Sequence, residues 1–253
     1  MIEVAGLVKT YTSGHLWWKT RVPVLKGFDF QARAGEVTGV LGPNGAGKTT
    51  FFRILCGLEK PTAGEVRVDG VIPSVNPLVM RGRIALLPEE AGVDREMSGR
   101  QHLWVFGAMM GMDRSELLAG LARCDELLGL SSFWGRRFGV YSRGQKARIA
   151  LARMSLMPQA SVFIFDEPSN GLDFEAVARL HAFIRDLANQ GKTVLVASHI
   201  LSDLCHLCDR LVGIDGGQAA SAEQMRAWLT AHAQSQAVGQ AAGAHLRHLV
   251  EQP

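Results

Sequence analysis

Cysteine is scarce in this sequence: Cys56, Cys124, Cys205 and Cys208 are the only four among 253 residues. So thin a set does not support a disulfide framework, and it suits thiols that stay reduced. Cys205 and Cys208 form a C-x-x-C inside "SDLCHLCDRL", a helical stretch, and no second pair completes a structural zinc site. An excess of one charge is lacking too. Lys plus Arg exceed Asp plus Glu by only 27 − 24 = 3, and the basic residues are scattered apart from short pairs such as Arg136 and Arg137. That argues against nucleic acid as a partner. The longest nearly apolar run, "LWVFGAMMGM" at 103–112, falls short of the roughly 18 residues a spanning helix needs. The opening "MIEVAGLVKT" has no basic region followed by an apolar core, so no signal peptide is expected. What is present is a hydrophobic share of 47%, enough in a chain of this length to fill a sizeable core.

Residues 2–41 hold β-rich stretches, "EVAGLVKTY" and "LKGFDFQARAGEVTGVL", in which Phe28, Phe30 and Ala32 fall on one face. Between them "TSGHLWWKTR" reads as a hairpin tip with one of Trp17 and Trp18 packed. The apolar runs "VTGVL", "RIALLP", "SVFIFDEP" and "TVLVASH" show little alternation, as strands of a parallel sheet covered on both faces should. From about 95 to 156 the period becomes helical, with Leu117, Leu121, Cys124 and Leu128 on one stripe. The expected organisation is an α/β core over 1–88 and 157–217 and an inserted helical subdomain over 89–156. An Ala- and Gln-rich tail, helical or partly disordered, would follow over 218–253.

"GPNGAGKT" at 42–49 matches G-x-x-x-x-G-K-[ST] and lies between a strand and the helical "KTTFFRILCGL", which Gly57 is expected to end. Gly42, Gly45 and Gly47 let successive backbone N–H groups converge on phosphates, with Pro43, Asn44 and Ala46 between them and Thr50 following. Lys48 adds a point charge for the β and γ phosphates, and the Thr49 hydroxyl is a hard ligand for Mg²⁺. "VFIFDEP" puts Asp166 and Glu167 at a strand exit, Asp166 for the metal and Glu167 to polarise an attacking water. A second turn, "YSRGQ" at 141–145, also opens a helix and suits an anion, yet carries no lysine. It could be an ordinary Ser-capped helix start; a nucleophile elbow is excluded because Val140 stands at its first glycine position.

These motifs, in this order and over nearly all of residues 1–217, resemble the ATP-binding subunits of ABC transporters. The fold implied is that of P-loop NTPases, with a mainly parallel sheet, an N-terminal antiparallel β subdomain and an inserted helical subdomain. The resemblance makes "YSRGQ" the signature loop, with Ser142, Gly144 and Gln145 set against the γ-phosphate of ATP held by a second subunit in a head-to-tail dimer. Tyr11 resembles the residue that stacks on adenine, with Trp17 or Trp18 as competitors for that role. Asp173 in "NGLD" resembles a contact to the partner subunit, and His199 in "VLVASHI" the switch histidine at the γ-phosphate. Two departures stand out: Arg143 replaces the commonest glycine of the signature, and Glu89 in "LLPEE" replaces a metal-binding glutamine. Such variants are similar to those of subunits that pair with separately encoded ABC-2 type permeases, mostly exporters. The resemblance therefore implies an ATPase with ATP and Mg²⁺ as cofactors. It implies a permease and a second copy as partners, and a place at the cytoplasmic face of the membrane. A soluble ABC-type ATPase acting on ribosomes or nucleic acid is the competing expectation. A metabolite kinase would share only residues 42–49.

Overall fold

The computed structural model describes residues 1–14, 18–88 and 94–235, with the backbone alone for 232–235. Two sheets meet across one helix. The first is a three-stranded antiparallel sheet in the order β2 (Thr20–Ala32), β1 (Ile2–Ser13), β4 (Ala63–Val68). The second has six strands in the order β5 (Ile84–Leu87), β6 (Val162–Asp166), β7 (Thr193–Ser198), β3 (Val37–Leu41), β8 (Arg210–Asp215), β9 (Gln218–Ala219). All of its pairings are parallel except β8 with β9. Every residue of β3, β6 and β7 is buried, which is why their sequences show no polar alternation.

Helix α1 (Lys48–Leu55) joins the two sheets. Its Phe51 ring lies 5.1 Å from Phe28 and 5.0 Å from Phe30, so the striped face of β2 is what holds the phosphate-loop helix in place. The helix ends in a Schellman turn: Gly57 takes φ +70°, its N–H donates to Ile54, and Leu58 N–H donates to Arg53. Helix α2 (Pro77–Arg83) leads into β5. The helical segment comprises α3 (Gly99–Met109), α4 (Arg114–Leu128) and α5 (Arg143–Ser155), with Leu117, Leu121, Cys124 and Leu128 of α4 all buried. Helix α6 (Phe174–Asn189) follows β6, and the short α7 (Leu201–Cys205) follows β7.

Residues 13 and 20 pair across the first hairpin, but Trp18 is 82% exposed and Trp17 lies outside the described residues. A packed tryptophan at Trp18 is thus ruled out. The tail expected over 218–253 begins with ordered elements packed on the core. Gln218 and Ala219 form β9, and helix α8 (Ala222–Ser235) buries Met225 and Leu229 against the core. Gly213 marks that contact, since a β-carbon there would meet the Met225 sulfur at 2.5 Å and Trp228 at 3.0 Å. The Ala- and Gln-rich composition hid two large apolar anchors four residues apart, one helical turn. Residues 236–253 lie outside the described residues.

Candidate functional site

Parallel register decides where the site forms. Leu41 stands opposite Ser198 and Asp166 opposite Ala197, so residues 42, 167 and 199 leave the sheet side by side at its C-terminal edge. That edge is where α/β sheets bind ligands. Gly45 and Gly47 take φ +81° and +111°, and Gly42 fits only as glycine because a β-carbon would run into the Ile214 carbonyl. Ala46 N–H donates to the Pro43 carbonyl at 3.1 Å, tightening the loop, while Pro43, Asn44 and Gly45 are exposed at its crest.

Lys48, only 6% exposed, donates through Nζ to the Gly42 carbonyl at 2.7 Å. The same ammonium lies 3.3 Å from Glu167 Oε1, an ion pair shielded from water. Glu167 Oε2 is 2.9 Å from His199 Nδ1, and Thr49 Oγ1 donates to Asp166 Oδ2 at 2.7 Å. Lys48, Glu167 and His199 thus form one chain of contacts, with the Thr49 and Asp166 pair beside it. Glu167 takes φ +50°, unusual for a residue with a β-carbon, and its N–H donates to Ala197 at 3.0 Å. A backbone held this way costs on the order of 1–3 kcal/mol, and such strain concentrates at working sites. The Thr49 hydroxyl and the Asp166 carboxylate are hard oxygens already in contact, a donor pair that fits Mg²⁺. Glu89, the third expected metal ligand, lies outside the described residues.

Tyr11 stands further out. Its hydroxyl donates to Glu59 Oε1 at 2.8 Å, and the Lys9 ammonium lies 4.7 Å from its ring centre. It pairs with Val22 of β2, two residues before Val24, whose carbonyl lies against Gly47. The tyrosine therefore lies on β1, paired to the strand that abuts the phosphate loop.

Ser142 caps α5. Its Oγ accepts from Gln145 N–H at 3.2 Å while Ser142 N–H donates to Gln145 Oε1 at 3.1 Å. Asp173 caps α6, accepting from Ala176 N–H at 2.8 Å. Sequence reasoning saw the Asp166 and Glu167 motif but missed the ion pair of Lys48 with Glu167, which depends on β6 and β3 flanking β7. It also passed over Tyr141. That residue is buried, accepts from Gly99 N–H at 3.0 Å, and donates toward the carbonyls of Arg136 at 3.1 Å and Phe133 at 3.2 Å. An aromatic with a hydroxyl just ahead of a helix cap is the signal that could have revealed it.

The sequence pattern of the ABC transporter family matches residues 25–170, more than half of the chain. The ABC transporter ATP-binding protein NatA of Bacillus subtilis is 33% identical over 201 residues, covering 79% of this chain and 81% of that protein. The Nod factor export ATP-binding protein I of Rhizobium meliloti is 36% identical over 216 residues, covering 85% of this chain but 62% of that protein. The chain therefore spans less than two thirds of the latter relative. Among solved structures, the ATP-binding cassette MJ0796, a dimer in a post-hydrolysis state with ADP and Pi, has a TM-score of 0.77 at 22% identity. That match covers 87% of this chain and 97% of that one, a likeness of fold. On the family match and these relatives, the chain belongs to the ABC transporter family, as an ATP-binding and ATP-hydrolysing cassette.

Proposed function

We propose that this chain powers a separately encoded ABC-2 type permease, for export, through ATP-driven closure of a head-to-tail pair of cassettes. The observation that carries the reading is the joined network of Lys48, Glu167 and His199 beside the Thr49 and Asp166 oxygens. The relative named for Nod factor export supports the direction. Among the described residues no helix is long and apolar enough to cross a membrane. In this reading the permease is a separate partner and the chain attaches peripherally at the cytoplasmic face.

Each residue has a task in this reading. Lys48 turns from the Gly42 carbonyl and Glu167 to the β and γ phosphates, which backbone N–H groups of residues 44–50 receive. Thr49 and Asp166 would hold Mg²⁺, which when bound would supply positive charge against the phosphate oxygens. Glu167, released from Lys48, accepts a proton from the attacking water, and His199 keeps the carboxylate aimed. Adenine stacks on the Tyr11 face opposite Lys9. From the second chain come the Ser142 hydroxyl and the Gly144 N–H. The Gln145 N–H joins them; in the single chain it donates to Ser142 Oγ at 3.2 Å. Asp173 Oδ1 is committed to the α6 cap, which leaves Oδ2 for a contact between subunits.

Glu167→Gln tests the reading. Its hydrolysis should fall by roughly 10²–10⁴-fold while ATP binding persists. Light scattering with saturating ATP and Mg²⁺ should give twice the monomer mass, and a persistent monomer would overturn closure of a homodimer. The same variant used as bait on detergent-solubilised host membranes should retain a multi-span protein. Ribosomal proteins in its place would transfer the function to the soluble ATPase class.

A further inference from the structure

Within one chain, the signature turn touches the loop that follows the two carboxylates. Gly171 has φ +72°, and the Arg143 side chain lies over its α-carbon. A β-carbon built there would stand 2.5 Å from Nη1, 2.7 Å from Cδ and 3.2 Å from Cζ. Two residues on, Asp173 Oδ2 is 3.9 Å from the equivalent point on Gly144. The loop is anchored at its other end by Glu167, whose carbonyl accepts from Asn170 N–H at 3.3 Å, and Leu172 N–H closes the turn onto Ser169 at 3.1 Å. Its middle is thus covered by one long cationic side chain. Arg143, Lys146 and Arg153 also line a cavity of about 280 Å³ whose lining includes Asp166 and Glu167.

We infer that Arg143 is a positioning residue for hydrolysis. It braces Gly171 and so fixes the turn that follows Glu167, which itself sits in a strained backbone conformation. A glycine at position 143 could not reach. This role rests on the ATPase reading above, and it gives one chain a direct connection between its signature turn and its own carboxylate.

The test is steady-state ATPase activity alongside calorimetric binding of ADP. Arg143→Ala should lower kcat by roughly tenfold to a hundredfold, the scale of a small misplacement of a reacting group, with ADP affinity and melting temperature unchanged. Arg143→Lys, which keeps the stem and the charge, should recover most of the rate. A wild-type rate in Arg143→Ala overturns the role, and so does an equal fall in kcat and ADP affinity. A wild-type chain that turns over no ATP overturns this role and the reading beneath it together.

Discussion

Glu59 shows how a half-buried acid can hold the aromatic proposed to stack on adenine. Its carboxylate receives the Lys9 ammonium at 2.8 Å and the Tyr11 hydroxyl at 2.8 Å. The hydrogen bond from Lys9, opposed by partial burial and assisted by Tyr11, holds Glu59 below the usual carboxylate range. A group whose folded value is depressed adds stability above its ordinary value of about 4.3, and that stability is lost as pH falls through the lower folded value. Wild type should therefore melt above Glu59→Gln at neutral pH, and the two curves should converge in acid. Melting temperatures measured across pH check this, and a gap that stays constant would refute it. Single residues were the most legible layer of the site: Lys48, Thr49, Asp166 and Glu167 are named by motif alone. The pairing of Lys48 with Glu167 was not, because it joins residues 119 positions apart through strand order rather than spacing.

At the level of elements, helix starts carry much of the architecture. Capping boxes of Ser98 with Gln101, Asp113 with Glu116 and Ser142 with Gln145 open α3, α4 and α5. Tyr141 ties two of these starts together, since its hydroxyl takes the N–H of Gly99 on the first turn of α3 while the next residue caps α5. Gly99 must be glycine here, as a β-carbon would lie 2.6 Å from the Tyr141 oxygen. Tyr141→Phe leaves that buried N–H without its acceptor and should cost on the order of 1–3 kcal/mol, measurable by urea unfolding. A shift well under this range would mean that water takes over the bond. The stripe of α4 was readable because four apolar residues repeat at helical spacing. The inner face of α3 was hidden, since Leu103 and the glycines Gly99 and Gly107 are its buried residues and small residues leave no hydrophobic period. The same limit explains α8, where Met225 and Leu229 sit among alanines and glutamines.

Over the whole molecule, the apolar surface is uneven. Phe174, next to Asp173 at the start of α6, is 91% exposed, and Val140, just before the signature turn, is 67% exposed. In the proposed dimer this side meets the second cassette, where a central aromatic contributes more than its neighbours. Phe174→Asp is expected to weaken ATP-driven association of the Glu167→Gln chain by roughly tenfold or more, read by light scattering over a protein dilution series. Undiminished association would place Phe174 outside the contact. The four cysteines have a practical bearing on that experiment. Burial raises Cys56 to about 12 and Cys124 and Cys205 to about 11, and it pushes Cys208 up as well. Because thiolates are the reactive form, all four should be nearly silent toward maleimides at neutral pH. The native chain is therefore its own low-background host for a dye: Val140→Cys, beside the signature turn, would add one responsive thiol, and its fluorescence would follow each closing and opening of the cassettes as ATP is consumed.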